Sequence, residues 1–190
     1  MKPESMAQDH RQAILEAGLT ILRKEGLASL TQPRIAAKTG LRQSHLTYYY
    51  PTRADLLAAV ARRAMELQID AVRSLLGSVS STEEAAKTLA KAVCQLENTR
   101  VFAALNQVAE REPAVQALYG DLLRDFTAEL AGFLGRLGLP PNPARVDLVH
   151  SLWVGVAQIN LATGRPDAER RARAVFDLAF QLLSGGHASQ

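Results

Sequence analysis

The chain has 190 residues, 47% of them hydrophobic and 22% charged, with a net charge of +3. That balance excludes a disordered chain, and the length allows one sizeable core or two smaller ones sharing a seam. The single cysteine, Cys94, excludes an internal disulfide and a multi-cysteine metal site, and in its apolar helical setting it reads as a small buried hydrophobe. Residues 1–63 hold ten Lys and Arg against five Asp and Glu, which leaves twelve against fourteen for the rest. An amino end this basic is expected to meet a polyanion, although an excess of this size also fits an ordinary solvated surface. Glu4, Asp9, His10 and Arg11 interrupt the region where a signal peptide would need an apolar segment. The longest apolar stretch, Leu148 to Ala162, is broken by His150, Ser151, Gln158 and Asn160 and is shorter than a membrane span, so a cytoplasmic protein without a membrane partner is expected.

In chain order, helix signals dominate, and neither period-two alternation nor an Asn-Gly or Asp-Gly hairpin turn occurs, so the chain is expected to be all-α. Residues 7–25 place Ile14, Ala17, Ile21 and Leu22 on one helical face, and Gly26 stops that helix. Thr31, with a side-chain oxygen able to cap, and Pro33 in the first turn begin a short helix ending at Gly40. "LRQSHLTYYY" then has room for about two turns before Pro51, because the residue ahead of a proline is biased away from helical angles. A long helix follows from near Thr52 to Gly77, with Leu56, Leu57, Val60 and Ala64 on its apolar side. Breaks at 80–82, near Glu112 and Pro113, at 138–143 and at 163–167 separate about five more helices, for about nine in all. Val146, Val149, Trp153, Val156 and Ala157 form one stripe near the end of the chain, and Val175, Leu178, Ala179, Leu182 and Leu183 form another.

The chemistry is concentrated in residues 31–53. Two short helices joined by a glycine-containing turn make a helix-turn-helix, whose second helix presents its first residues to base edges in the DNA major groove. Leu46 and Ile35 can lock the pair onto the first helix while Arg42, Gln43, Ser44, His45 and Thr47 project outward. Arg pairs bidentately with guanine and Gln with adenine, and Ser or Thr serves either, so this set can read sequence. The tyrosines at 48 to 50 suit the boundary, where a ring packs on protein and its hydroxyl reaches a phosphate. Thr52 and Arg53 lie at a helix start, where side chains and free amides can hold a phosphate.

Residues 11–57, with an amphipathic first helix, "TQPRIAAKTGL", an aromatic-ended recognition segment, a basic residue and "ADLL", resemble the DNA-binding domain of the tetracycline-repressor (TetR) family. The resemblance implies phosphate contacts from Thr31, Gln32, Tyr48, Tyr49 and Arg53, and base contacts from Arg42, Gln43, Ser44, His45 and Thr47. Thr47 stands where the family usually has tyrosine, with Tyr48 or Tyr49 beside it to take over that hydroxyl's contact, and Arg53 replaces the usual lysine with its charge kept. It further implies a helix-turn-helix domain at 1–52 and a helical effector-binding and dimerisation domain at 53–190. The expected partners are a second copy of the chain, an inverted-repeat operator in double-stranded DNA and a small-molecule effector, with no cofactor and no metal.

The two terminal stripes independently call for a covering surface, which a second copy would supply through Val149, Trp153, Val156, Val175, Leu178 and Leu182; alternatively both complete the monomer's own core. Asn106, Gln107 and Tyr119 are polar groups among the apolar positions of the middle helices and are candidates to orient an effector, which the mostly aliphatic surroundings predict to be moderately apolar. No Gly-rich phosphate loop, paired metal-ligand spacing or nucleophile motif points to an enzyme. The remaining alternative is a helical binding module without DNA, which would show no steep salt dependence.

Overall fold

Most helix ends fall where the chain offers a left-handed glycine, a proline or a capping side chain. In the computed structural model, which describes residues 3–185 and side chains from residue 7, the order is α1 (Pro3–Glu25), a short 3-10 turn (Leu27–Ser29), α2 (Gln32–Thr39), α3 (Gln43–Tyr49), α4 (Arg53–Gly77), α5 (Thr82–Ala92), α6 (Leu96–Ala109), α7 (Pro113–Arg136), α8 (Pro143–Thr163) and α9 (Ala168–Gly185). The all-α expectation holds among the described residues, with nine α-helices. Gly40 closes α2 at φ 70°, a conformation that costs glycine little and other residues more. Ser81 and Asn142 cap α5 and α8, accepting from the amides of Glu84 at 3.2 Å and Arg145 at 2.9 Å. The break between α5 and α6 has neither Gly nor Pro; Cys94, Gln95 and Leu96 turn on short backbone bonds to Lys91, Ala92 and Cys94.

By packing, the described chain divides into two compact units, residues up to Leu67 with Arg100–Gly120, and Gln68–Thr99 with residues from Asp121 onward. In the first unit, Ile14, Ala17, Ile21 and Leu22 of α1 are buried together with Ile35 of α2, Leu46 of α3 and Leu56, Leu57, Val60 and Ala64 of α4. These are the apolar faces that the sequence periodicity marks. Gly18 sits at their meeting point: a Cβ there would lie 2.7 Å from Val60 Cγ2 and 3.5 and 3.7 Å from methyls of Leu30 and Ile35.

In the second unit, α5 packs along α9, and Leu89, Phe133, Phe176 and Phe180 lie in one core. Val146, Val149 and Ala157 of α8 belong to that core, and Trp153 and Val156 are half-buried against it. This corrects the expectation that the whole first stripe needs a partner: Val149 in particular is spent inside its own unit, as the alternative reading has it. Asn160 is a buried polar residue of the same helix, and its Nδ2 donates to the Val93 carbonyl at 3.4 Å and to Cys94 Sγ at 3.5 Å. Cys94 is half-buried, and burial followed by the nearby Glu169 charge raises its thiol pKa, which disfavours the thiolate. Among the described residues no helix is long and apolar enough to cross a membrane.

Two outcomes follow from this packing. Val60 is β-branched and fully buried, so it cannot swing away from a new methyl; Gly18→Ala is expected to lose about 1–2 kcal/mol in denaturant titration, even though alanine favours a helix by about 1 kcal/mol. His150 lies 4.9 Å, ring centre to centre, from Phe126, and burial lowers its pKa against an opposing pull from Asp147. The unfolded chain therefore takes up this proton more readily, so its contribution to stability is present above a pH of about 6.5 and is lost as pH falls toward the lowered folded value. Wild type should lose more stability than His150→Gln between about pH 7.5 and pH 5, read from denaturation midpoints.

Candidate nucleic-acid interface

The α2–α3 pair is built from local signals. Thr31 occupies the position before α2 in extended conformation, yet its hydroxyl makes no capping bond, contrary to the capping expected of it. After Gly40, Leu41 and Arg42 turn the chain, and the Arg42 carbonyl accepts from the His45 amide at 2.9 Å to open α3. Gln32 Nε2 donates to the Tyr50 carbonyl at 2.9 Å, tying the start of α2 to the end of α3. Leu46 is the one fully buried residue of α3. With Leu46 turned inward, Arg42, Gln43, Ser44, His45 and Thr47 are all exposed, so the five residues expected to read bases share the solvent side of the helix. Thr47 Oγ1 donates back to the Gln43 carbonyl at 3.1 Å.

The three tyrosines are not equivalent. Tyr48 is 78% exposed, whereas Tyr49 and Tyr50 are half-buried. Tyr49 meets Tyr48 edge-on at 5.1 Å and lies beneath the Arg11 guanidinium, 5.3 Å from its ring centre. Burial raises the Tyr50 pKa, and the Arg11 charge partly offsets this. His10 stacks on His45 at 5.6 Å with 15° between the ring planes, and it meets Tyr49 edge-on at 6.5 Å. Residues 10 and 11 were missed as site residues from sequence; the signal is their place about one turn ahead of Ile14, where the apolar face of α1 begins, which only the fold brings to α3.

At the start of α4, Thr52 and Asp55 satisfy one another. The Thr52 amide and hydroxyl donate to Asp55 Oδ2 at 3.0 and 2.7 Å, and the Asp55 amide donates to Thr52 Oγ1 at 3.0 Å. This narrows the phosphate site expected there, since Thr52 is committed and the Asp55 carboxylate occupies the helix start. The amides of Arg53 and Ala54 remain, as first-turn amides do. Arg53 is exposed and makes no ion pair among the described residues.

Arg53 also lines a cleft of about 450 Å³ within the first unit, with Leu27, Leu57, Gln107, Val108 and Arg111 around it. Of the candidate effector residues, Gln107 faces this cleft and Asn106 is exposed outside its lining. Tyr119 is held elsewhere, its hydroxyl donating to the Phe102 carbonyl at 2.9 Å and its pKa raised well above the usual tyrosine value by burial. The structure therefore does not gather these three residues into one pocket. Among the candidate dimer residues, Leu178 and Leu182 are exposed at 56% and 67%, Trp153, Val156 and Val175 are half-buried, and Val149 is in the core. Leu148 and Ile159, eleven residues apart and so on one face of α8, are exposed and were not picked out from sequence. Among the described residues no three His, Cys, Asp or Glu side chains gather as metal ligands.

Residues 14–60 match the family model for bacterial regulatory proteins, tetR family. The amino-terminal module is TetR-like. The matched span runs from Ile14 in α1 to Val60 in α4 and so contains the α2–α3 pair and its supports. No curated protein matches the chain. Solved structures share the TetR-like fold well beyond the matched span. A protein described as a TetR-family transcriptional regulator from Mesorhizobium loti superposes with a TM-score of 0.79 at 11% identity, over 94% of this chain and 96% of that one. A transcriptional regulator from Saccharomonospora viridis in complex with choline gives 0.75 at 18% identity, over 92% and 96%. The multidrug binding protein EbrR, complexed with imidazole, gives 0.68 at 23% identity, over 89% and 93%.

Proposed function

We propose that the chain is a dimeric, sequence-specific DNA-binding transcriptional repressor, released from a palindromic operator by a small-molecule effector. The observation that carries this reading is the α3 face, where Arg42, Gln43, Ser44, His45 and Thr47 are exposed together over a buried Leu46. Arg42 and Gln43 stand at the amino end of the helix, the end that enters the major groove in this geometry. Tyr48, Tyr49, Thr31, Gln32 and Arg53 flank that face and serve the phosphates, with Gln32 donating through the second Nε2 hydrogen left over from its bond to Tyr50.

Functionally, residues 1–52 read DNA and residues 53–190 bind effector and dimerise. The exposed side of α8 and α9, carrying Leu148, Ile159, Leu178 and Leu182, pairs with its copy in a four-helix seam; Val149 takes no part in it. A dimer sets two recognition helices about 34 to 36 Å apart, one turn of DNA, and an effector that alters this spacing releases the operator. The effector is a moderately apolar organic molecule. Solved structures of the same fold hold imidazole, ethidium and proflavin in EbrR and choline in the S. viridis protein, all small organic molecules. The α6 end that carries Gln107 lies in the same unit as α1 to α3, so a change there has a packed route to the reading face.

The test is selection of random duplex DNA on the purified protein at two salt concentrations. An inverted repeat should be enriched, and its affinity should fall steeply with salt. Arg42→Ala or Gln43→Ala should relax preference at one base per half-site at a cost of about 1–3 kcal/mol, while Arg53→Ala should weaken all sequences alike. An unchanged motif in both reading-face variants would move base recognition off α3. Separately, Leu178→Glu combined with Leu182→Glu should convert a dimer to a monomer in sedimentation, with helix content kept; a persistent dimer would place the seam elsewhere.

A further inference from the structure

The α1 side chains His10 and Arg11 are explained by neither the core nor the recognition set. His10 is half-buried, it makes no hydrogen bond or ion pair among the described residues, and its close aromatic contacts both run to α3. One is the near-parallel stack on His45, and the other is the edge contact with Tyr49. His45 and Tyr49 are four residues apart, so they project from one side of α3, and His10 bridges them. Arg11, next in the chain, holds Tyr49 from the face of its ring.

We propose that His10 is a positioning residue for DNA recognition: it fixes the plane of the His45 imidazole and thereby the base preference that His45 imposes. This rests on the reading of α3 as the recognition helix. An exposed histidine on a two-turn helix otherwise turns freely about its side-chain torsions, and ordering it on DNA costs binding free energy. A neutral imidazole is a donor at one ring nitrogen and an acceptor at the other. Guanine presents two acceptors in the major groove, whereas adenine presents an acceptor and a donor, so which nitrogen faces the base decides which base is preferred. A ring held in one plane against His10 has fewer orientations to lose when its nitrogens meet the preferred base. Arg11 acts in parallel on Tyr49, which serves phosphates, and so bears on affinity rather than on sequence.

The experiment uses the full-length protein with His45→Ala, His10→Ala and His10→Phe, each checked for helix content and melting temperature. Two readouts are taken: NMR ring-proton shifts of His45 without DNA, and relative affinities for every single-base change in the selected half-site. In free protein, His10→Ala should remove the ring-current shift on His45, and His10→Phe should restore one. On DNA, His45→Ala should lose on the order of fivefold discrimination or more at one position. His10→Ala should cut discrimination about three- to tenfold at that same position only, with recovery in His10→Phe. Uniform weakening of all sequences by His10→Ala, or no change at the His45 position, overturns the proposal. If His45→Ala leaves every preference intact while specific binding persists, the base-reading role of His45 fails and the positioning role falls with it. If no sequence is selected at all, the DNA-binding reading itself is what has failed, and a His10-dependent shift on His45 would then report a purely structural stack.

Discussion

The absence of a side chain at Gly18 allows the helix-turn-helix module to close. Leu30, Ile35 and Val60 come from the turn after α1, from α2 and from α4, and all three converge on the bare backbone of α1. Close packing of this kind transmits small displacements because the buried side chains have no free volume to absorb them. α3 depends on it at one remove. With seven residues, two turns and one buried side chain, it has little stability of its own and is held by what Leu46 and the Gln32–Tyr50 bond find beneath it.

That economy is what exposes the chemistry. A helix that buries a single leucine can turn most of its surface outward, and the outward residues of α3 are those whose hydrogen-bonding groups match base edges. The arrangement has a cost in order: exposed polar side chains on a short helix are mobile unless something holds them. The cluster of His10, Arg11, His45, Tyr48 and Tyr49 supplies contacts along α3 from His45 to Tyr49, through aromatic faces and a guanidinium rather than through hydrogen bonds. Such contacts restrain a ring while leaving its polar edge open, which is what a recognition surface requires.

In the second unit the physical problem is different. α8 carries apolar residues around most of its circumference, so it serves two surfaces at once. Val146, Val149 and Ala157 face the unit's own core, while Leu148 and Ile159 lie on the open side. Buried Asn160 bonds to the turn between α5 and α6, its Nδ2 donating to the Val93 carbonyl and to Cys94 Sγ at a break without glycine or proline.

Much of this was legible in the residues. The apolar faces of α1 and α4, the α2 boundaries at Thr31 and Gly40, the length of α3 ahead of Pro51 and the outward set on α3 all follow from rules operating within a few residues, namely helical periodicity, the left-handed tolerance of glycine and the restriction before proline. The sequence by itself therefore determined an all-α chain whose first quarter is a TetR-like helix-turn-helix. Only the tertiary structure decided which side of α8 is core, that the α5–α6 break sits on Asn160, that Thr52 is occupied by Asp55, that Tyr119 is bonded to Phe102, and that His10 and Arg11 stand over α3. Apart from the Thr52–Asp55 box, these depend on contacts between residues more than fifteen positions apart, and helical periodicity shows that a face is apolar without showing what it meets.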